Sequence, residues 1–566
     1  MAAPNLNTLP AALLQIIVNH ITRPSDLQRL ARVSQVWNQH ASASLYRDSY
    51  IDLSVPPGSS AFFQDNHPCH PYVRGLHFYE TGAGLTNVQR CTVALAALAL
   101  IPNDNLLRLT FPLHMVVSQA ILREMCLNQR TIITLAIGLT NGALAALWEK
   151  EDAEFMDSLL GIEALTVPNA FPSYNDQRDL VLWNHIMRNQ EKLRSLELAP
   201  TIITLPPGAT INAKALFDEL FWRASADPPP LALESLTLRG FDFTRSIAAI
   251  TRAIDFSHLT TLAVTNMEHN AAFFNALAAI LRRQSRYHIT PKLKKLHLST
   301  IDRTDSIALT AVLMACTDLR ELQIKAVGSY MTTPTVASIT KHAATLRVFG
   351  FGVLVEHNMN LLGGNVYVLN QGIFSCILNH LVHLEELSVN LGMPVLGREG
   401  ENDHHTRVMI QRLVRLAQRC PSLRALRLLK WPMFSASTDE DVVHNPGLPI
   451  DRASIAALRN GVFKEMQKMA QDVFQVNDAA PNRPVTVNTL RVLVIGSPNW
   501  PCWVDHVLNP TPPPNHYYLI RTIPNVVYAR RELMDADGVR TTVALTVNRE
   551  DLEYDDRKFA IFEYGT

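Results

Sequence analysis

The chain has 566 residues, of which 47% are hydrophobic and 18% charged, so it is too apolar to be disordered and too long for one ordinary domain. Lys plus Arg and Asp plus Glu are equal at 51 each, so the chain has no excess of positive charge of the kind that binds nucleic acid. The 7 cysteines are odd in number and form no C-x-x-C pair, which argues against a disulfide framework and favours a reducing compartment.

The N-terminal segment predicts three short helices, of which the first opens at a proline. Pro10 suits the first turn of a helix because its missing N–H has no intrahelical partner there. Leu13, Leu14 and Ile17 then form one apolar stripe. We expect this helix to end before a break at Pro24.

The second and third helices are predicted from their capping residues. Ser25 and Asp26 can cap a helix that bears Leu27 and Leu30, and Ser34 can cap a helix that bears Trp37. Three helices in some 40 residues bury little apolar surface by themselves. Such a unit usually needs a partner or a neighbouring domain to complete its core.

The string LPAALLQIIVNHITRPSDLQRLARVSQVWNQHASASLYR closely resembles an F-box. The match covers under a tenth of the chain and rests on Leu9-Pro10, Leu13-Leu14, Leu27, Leu30, Val33-Ser34 and Trp37-Asn38. The resemblance implies docking onto the Skp adaptor, and through it onto a cullin, of a ubiquitin ligase. The adaptor-binding residues that it implies are Leu9, Pro10, Leu13, Leu14, Ile17, Leu27, Leu30, Val33 and Trp37.

A short strand-like phrase, apolar-x-x-apolar-x-apolar, recurs along most of the remaining chain. Successive copies mostly lie about 26 to 40 residues apart, at and above the upper end of the range for leucine-rich repeats. Weaker copies extend the series from Val73-Leu76-Phe78 to Leu490-Leu493-Ile495. The clearest copies are Leu193-Leu196-Leu198, Leu233-Leu236-Leu238, Leu293-Leu296-Leu298, Leu319-Leu322-Ile324, Leu384-Leu387-Val389 and Leu423-Leu426-Leu428.

Amphipathic segments between the phrases predict helices, for example from Phe273 to Leu281 and from Ile373 to Leu381. One strand and one helix cannot bury their apolar faces alone, so neighbouring units must stack into an α/β leucine-rich-repeat solenoid, with a curved parallel sheet inside and helices outside. The predicted domains are an F-box-like helical module at residues 1–50, a solenoid of about 13 irregular repeats at residues 51–550, and a C-terminal cap at residues 551–566.

The C-terminal part departs from the regular spacing. The gap between the phrases that begin at Leu423 and Leu490 predicts an insertion followed by a long helix from about Ile450 to Val476. Strand-like residues from Thr541 to Val547, together with the acidic and aromatic tail, predict a structure that caps the last repeat.

Strand alternation predicts a row of outward-facing residues on the sheet. The last two apolar residues of each phrase should point into the core, and the residue between them, with the one that follows the phrase, should point outward. The mixed polarity of this row suits a folded protein or a peptide as the bound target. The predicted target-binding residues are His77, Tyr79, Glu197, Arg239, His297, Gln323, Lys325, Ser388, Asn390 and Arg427.

Motifs for catalysis or metal binding are not found in the sequence. No H-E-x-x-H, G-x-x-x-x-G-K-[ST] or G-x-S-x-G occurs, so we expect no catalytic residues, no metal and no cofactor. His404 and His405 lie in a polar stretch that we interpret as a solvated loop. Cys316 and Cys420, which each precede a phrase by three residues, are interpreted as buried packing residues.

Neither a membrane span nor a secretion signal is predicted. The most apolar stretch, Thr92 to Ile101, is about half of the roughly 20 residues that a membrane helix needs. We therefore expect a cytoplasmic or nuclear protein that binds neither membranes nor nucleic acid.

Together with the repeats, the F-box-like string makes the chain similar to the F-box/leucine-rich-repeat proteins of fungi. This resemblance implies a substrate receptor of a Skp–cullin–F-box ubiquitin ligase, with no active site of its own and with an unknown target protein bound by the repeats. A second hypothesis is a leucine-rich-repeat scaffold whose N-terminal helices only cap the solenoid. A third is an enzyme with a divergent site in a repeat loop, which would require clustered acidic, histidine or serine side chains.

Overall fold

The structure of the chain is a computed structural model in which Met1–Leu293 and Lys294–Thr566 form two compact units. It describes residues 9–21, 24–81, 85–112, 115, 117–137, 161–168, 192–199, 230–239, 247–265, 270–301, 303–327, 336–354, 379–389, 395–396, 420, 422–428, 433–434, 452–475, 489–495, 526–534, 540–548 and 552. The predicted helix from Ile373 up to residue 378, the residues His404 and His405, and Asn390 lie outside this part of the chain.

Three short helices open the first unit: α1 (Ala11–Asn19), α2 (Pro24–Ala31) and α3 (Gln35–Leu45). Pro10 is the N-cap of α1, and the Ser34 hydroxyl accepts a hydrogen bond of 3.3 Å from the backbone N–H of Trp37, as the capping prediction for α3 requires. The predicted cap of α2 by Ser25 or Asp26 is wrong. This helix begins at Pro24, whose fixed φ and missing N–H suit a first helical position.

The strands described in the first unit form a parallel sheet in which each strand pairs with the next one along the chain. They are β1 (Asp48–Asp52), β2 (Gly75–Tyr79), β3 (Arg108–Thr110), β4 (Thr134–Ala136), β5 (Ala164–Pro168), β6 (Ser195–Ala199), β7 (Ser235–Arg239) and β8 (Thr261–Thr265). β2 to β8 each coincide with a copy of the phrase, so the strands predicted there are confirmed.

One carbonyl group joins each of these strands to the next. The C=O of the residue just before a strand accepts hydrogen bonds from two successive N–H groups of the following unit. Arg74 and Gly75 donate to Arg47, Leu107 and Arg108 donate to Arg74, and the same pairing continues as far as Glu234. It recurs in the second unit from Lys294 to Arg424. The same joint therefore links β1 to β8 in the first unit and the consecutive parallel strands that follow Lys294, Arg320, Arg347, Glu385 and Arg424 in the second.

The helices described on the repeats of the first unit are α4 (Asn87–Ala99), α5 (Gln119–Asn128), α6 (Ile247–Ala253) and α7 (Asn270–Arg286). A capping box between Thr86 and Gln89 begins α4. Phe273, Phe274 and Leu281 lie on the buried face of α7, as their spacing predicts.

The second unit contains a sheet that is parallel at first and antiparallel at its end. Its strands are β9 (Lys295–Ile301), β10 (Glu321–Val327), β11 (Val348–Leu354), β12 (Glu386–Val389), β13 (Val395–Leu396), β14 (Ala425–Leu428), β15 (Met433–Phe434), β16 (Val492–Ile495), β17 (Val526–Met534) and β18 (Arg540–Val547). β13 and β15 form a separate short pair, and β17 and β18 form an antiparallel hairpin beside β16. The strand predicted at Thr541–Val547 is confirmed.

The helices described in the second unit are α8 (Arg303–Ala315), α9 (Val336–Thr340) and α10 (Arg452–Gln475). α10 confirms the long helix predicted from about Ile450 to Val476. It lies along β18, where the side-chain amide of Gln471 donates to the carbonyl of Thr542 at 2.7 Å and accepts from the N–H of Ala544 at 2.8 Å. Gln467, one turn earlier, also bonds to Ala544.

The core of each unit consists of the apolar positions of the phrases. Every phrase position whose side chain is described is buried, from Val73 in the first unit to Ile495 in the second. Each unit is therefore a mixed α/β structure with a mostly parallel sheet, as predicted at that level. The domain boundaries predicted at residues 50 and 550 stay predictions. None of the helices in the described ranges has both the length and the apolar composition that a membrane crossing requires.

Candidate functional site

The three N-terminal helices enclose a small core of their own. Leu14, Val18, Leu27, Trp37 and Ala41 are buried and pack against one another. Aromatic and aliphatic side chains at these positions fill the space where the helices meet, which fixes the three helices relative to one another.

A polar seam holds α1 against α3 beside this core. The side-chain amide of Gln15 donates to the Ser44 hydroxyl at 3.1 Å, and its carbonyl oxygen lies 3.1 Å from Nδ1 of His40. Ser44 in turn donates to the side chain of Asn19 at 3.3 Å. These bonds satisfy the polar side chains between the two helices, so the unit is ordered on this side as well.

Apolar side chains also remain on the outside of the helices. We call Leu13, Ile16, Ile17, Val33 and Val36 the N-terminal apolar patch, and they are between 38% and 66% exposed. Leu13, Ile16 and Ile17 share one face of α1, and exposed apolar side chains grouped in this way are typical of protein-binding surfaces.

The nine predicted adaptor-binding residues therefore divide into three groups by their exposure. Leu14, Leu27 and Trp37 are buried in the helical core, so of the nine they are residues that can support adaptor binding only through internal packing. Leu9 and Leu30 are partly buried against the same core. The remaining predicted residues are exposed, namely Pro10, Leu13, Ile17 and Val33.

Ile16 and Val36 belong to the patch but are not predicted from the sequence. The signal for Ile16 is its spacing of three residues from Leu13, which places both side chains on one helical face. Val36 lies three residues after Val33, but a turn separates Val33 from α3, so helical spacing alone does not connect these two residues.

The outward row of the first unit is exposed or partly exposed, as predicted. In β7 and β8 buried and partly exposed residues alternate strictly. Glu197 and Arg239 from this row form an ion pair, with Nε of Arg239 2.8 Å from Oε1 of Glu197. His77 is partly exposed and Tyr79 is 42% exposed.

The same row is largely covered in the second unit. Gln323, Ser388 and Arg427 are only 7%, 2% and 1% exposed, so the prediction that they contact a target is wrong. The prediction assumed one solvated face, whereas every residue of β12 and β14 is buried, which is the pattern of a strand covered on both faces. His297 and Lys325 remain partly exposed.

A charged cluster lies on the outward face of β9 and β10. One carboxylate oxygen of Glu321 lies 2.8 Å from Nε2 of His297, and the other lies 3.1 Å from the Lys295 ammonium. Gln323 donates to the same carboxylate at 2.7 Å. Burial of Glu321 raises its pKa, but the hydrogen bond and charge of His297, together with Lys295, outweigh it and hold the pKa below the ordinary value.

The cysteines that the structure describes are buried and free of disulfides. Cys316 and Cys420 are fully buried, which confirms their interpretation as packing residues. Burial raises the pKa of the Cys316 thiol to about 12, although the nearby Lys341 ammonium acts in the opposite direction. Among the described residues, no group of three or more His, Cys, Asp or Glu side chains is placed to hold a metal ion.

The candidate binding surfaces of the chain are thus two, the N-terminal apolar patch and the outward face of the first sheet. The patch can bury aliphatic surface, and the sheet face offers hydrogen-bonding, charged and aromatic side chains. No protein-family model matches the chain, and no curated protein is similar enough to it to count as a relative.

Proposed function

We propose that this chain is the substrate-recognition subunit of a Skp–cullin–F-box ubiquitin ligase. In this proposal the N-terminal helices are an F-box that binds the Skp adaptor, and the strand and helix units are leucine-rich repeats that bind a target protein. The chain itself has no active site. It places the target close to a ubiquitin-carrying enzyme held elsewhere in the complex, so that transfer depends on proximity.

The observation that carries this proposal is the N-terminal apolar patch. The three helices already have a filled core around Trp37, so the exposed side chains of Leu13, Ile16 and Val33 are not needed for internal packing. A cap that only sealed the first strand would turn its apolar side chains inward. Aliphatic side chains left in water on an ordered helical unit are instead expected to be buried by a partner.

The supporting observation is the regular joint between strands. The same carbonyl position accepts two N–H groups from the next unit at each step, and the same phrase fills the core. Repetition of one structural unit produces an extended face that a large target can contact. A receptor needs both such a face and a separate docking surface.

The test is capture of a purified Skp adaptor by the full chain. We expect the double variant Leu13→Asp, Ile17→Asp to reduce capture at least tenfold, because it places two carboxylates in the patch without altering the buried core. Val88→Asp is the matched control, since Val88 is exposed in the first turn of α4, outside the patch.

Circular dichroism and thermal unfolding establish that all three proteins are folded. Adaptor capture by the wild-type chain and by Val88→Asp, with loss in the double variant, is the expected result. If the folded wild-type chain captures no adaptor, or if the double variant captures it as well as the control does, the ligase proposal is wrong.

A further inference from the structure

Two exposed tyrosines lie beside carboxylates on the outward face of the first two strands. We call Asp48, Tyr50, Asp52, His77 and Tyr79 the tyrosine face. The parallel register pairs Tyr50 with His77 and Asp52 with Tyr79, so the five side chains lie on one side of the sheet. Tyr50 is 68% exposed and Tyr79 is 42% exposed. Large aromatic rings left this accessible are typical of binding hot spots.

The ring of Tyr50 is held in place. It stacks on the His77 imidazole with a distance of 4.9 Å between ring centroids and an angle of 20° between planes. His77 is itself fixed, because Nδ1 lies 3.2 Å from the Thr110 hydroxyl and Nε2 lies 3.5 Å from Asp48. A ring that is already ordered loses little conformational entropy when a ligand covers its free face.

The two carboxylates of the face differ in their partners. Asp48 forms an ion pair of 2.8 Å with Arg108, so its charge is balanced within the chain. Asp52 accepts hydrogen bonds from the backbone and hydroxyl groups of Ser54 and Thr81, which are all uncharged donors. In the described ranges no ion pair involves Asp52. The face therefore keeps one carboxylate without an ion pair, opposite Tyr79 in the register and two residues after Tyr50 on β1.

Tyr287, which follows the last residue of α7, has a cation beside its ring. It is also exposed, and the guanidinium of Arg283 lies 5.8 Å from its centroid, within the range of a cation–π contact. Tyr50 instead has a histidine ring on one side and its other side exposed, with an uncompensated carboxylate two residues along the same strand.

We propose that the tyrosine face binds an arginine or lysine side chain of an extended protein segment. The cation lies on the tyrosine rings and pairs with the Asp52 carboxylate, so aromatic and ionic attraction act on the same group. This deepens the proposed function by naming the chemistry of the target. Only the identification of the bound segment as a ligase target rests on that function. Binding of the segment itself requires neither the adaptor nor the cullin.

The test uses fluorescein-labelled peptides of alternating Gly and Arg, with Gly–Lys, Gly–Gln and Gly–Glu peptides as matched probes. Fluorescence anisotropy with the full chain measures their affinity at two salt concentrations. We expect the Arg and Lys peptides to bind at least tenfold more tightly than the Gln peptide, the Glu peptide not to bind, and added salt to weaken binding. Equal binding of the Arg and Gln peptides would overturn the proposal.

Two variants and one control locate the binding site. Tyr50→Ala removes the most exposed ring, and Asp52→Asn removes the charge while keeping a side chain that can accept hydrogen bonds from Ser54 and Thr81. We expect each variant to lower the affinity for the Arg peptide at least tenfold. Tyr287→Ala removes a similarly exposed tyrosine elsewhere and should leave that affinity unchanged. Unchanged binding in both variants would show that the peptide binds elsewhere.

The outcome is separable from that of the adaptor experiment. If peptide binding depends on Tyr50 and Asp52 but the chain captures no adaptor, the tyrosine face is a binding site and the ligase proposal is wrong. If the chain captures the adaptor but does not bind Arg or Lys peptides selectively, the ligase proposal stands and the proposal for the tyrosine face is wrong.

Discussion

Arg108 on β3 pairs with Asp48 on β1 across the full width of the strand between them. The three register positions in this row are Asp48, Gly75 and Arg108. A Cβ atom at Gly75 would lie closer to Asp48 Oδ1 than real Cβ atoms approach any neighbour, so the absence of a side chain leaves the space that the ion pair occupies. Gly75 is therefore a close-approach glycine rather than a turn glycine.

Gly75→Ala should displace the Asp48 carboxylate from Arg108 and leave the fold intact. Both partners are about one-third exposed, so we expect a loss of no more than about 1 kcal/mol in the free energy of unfolding. The loss should shrink in an Asp48→Asn background, because the two substitutions then remove the same interaction. Gly58→Ala is the control, since a Cβ there meets nothing within 4 Å. If urea unfolding shows that the double variant loses the sum of the two single-variant losses in the free energy of unfolding, this explanation is wrong.

Glu321→Gln should weaken the second unit most at neutral pH. The folded carboxylate has a lowered pKa, so its stabilising effect is complete above the ordinary value of 4.5 and is lost as the pH falls below that value. Because the side chain is buried and bonds to His297 and Lys295, we expect a loss of about 1–3 kcal/mol at pH 7.

The check is chemical unfolding of the wild-type chain and Glu321→Gln between pH 3 and pH 7. The difference in the free energy of unfolding between the wild-type chain and Glu321→Gln should become smaller as the pH falls. Lys464→Gln, an exposed change on α10, should give a constant difference from the wild type at every pH. A Glu321→Gln difference that does not depend on pH would show that the carboxylate charge is not the stabilising feature.

His342 should make the second unit sensitive to mild acid. Burial lowers the pKa of the imidazole, and the nearby Lys341 acts in the same direction, against the hydrogen bond from Nε2 to the carbonyl of Leu313 at 3.0 Å. The unfolded chain therefore binds a proton near the ordinary value of 6.5, while the folded chain does so only at lower pH. The free energy of unfolding should consequently fall as the pH drops below 6.5.

His342→Gln keeps a donor for the Leu313 carbonyl and removes the titrating ring. Thermal unfolding from pH 7.5 to pH 5.5 should show a smaller decrease in melting temperature for this variant than for the wild-type chain. His288→Gln is the control, because that histidine is exposed in a turn after α7. Equal slopes for the wild-type chain and His342→Gln would contradict the prediction.

The double variant Gln467→Leu, Gln471→Leu should increase self-association. The Gln471 amide bonds to the carbonyl of Thr542 and the N–H of Ala544, which are the groups that a neighbouring parallel strand would use. Removing both amides leaves these backbone groups on β18 unpaired, and unpaired strand edges add further strands.

Light scattering coupled to size-exclusion chromatography would detect this association. We expect the apparent mass of the double variant to rise with protein concentration, while that of Lys464→Leu, a change of similar hydrophobicity on the same helix, stays constant. A monomeric double variant with a normal melting temperature would show that the two glutamines do not protect the edge.

Much of the fold can be predicted because the phrase carries its own structural information. Two apolar residues separated by one position specify a strand with one buried side, and a preceding leucine specifies where that strand begins. The strand Val526–Met534 is not among the predicted copies of the phrase, although Ile523, Val526 and Tyr528 have its spacing. The N-terminal helices are predicted from local capping and spacing, and only the first residue of α2 differs.

The site is harder to predict because exposure depends on residues far away in the chain. Leu13 and Leu14 are adjacent and chemically identical, yet one is exposed and the other buried, according to which of them faces Trp37 and its neighbours. Ser388 and Arg427 occupy outward positions of the phrase, but their strands are covered on both faces. No local pattern contains that information.

The repeated carbonyl joint has a consequence for how the first unit acquires its structure. Each strand from β1 to β8 binds only the strands that immediately precede and follow it along the chain, through one conserved geometry of hydrogen bonds. A nascent chain that leaves the ribosome N-terminus first can therefore add each strand as it emerges, without waiting for distant segments. The sheet of this unit can therefore form strand by strand while the chain is still being synthesised.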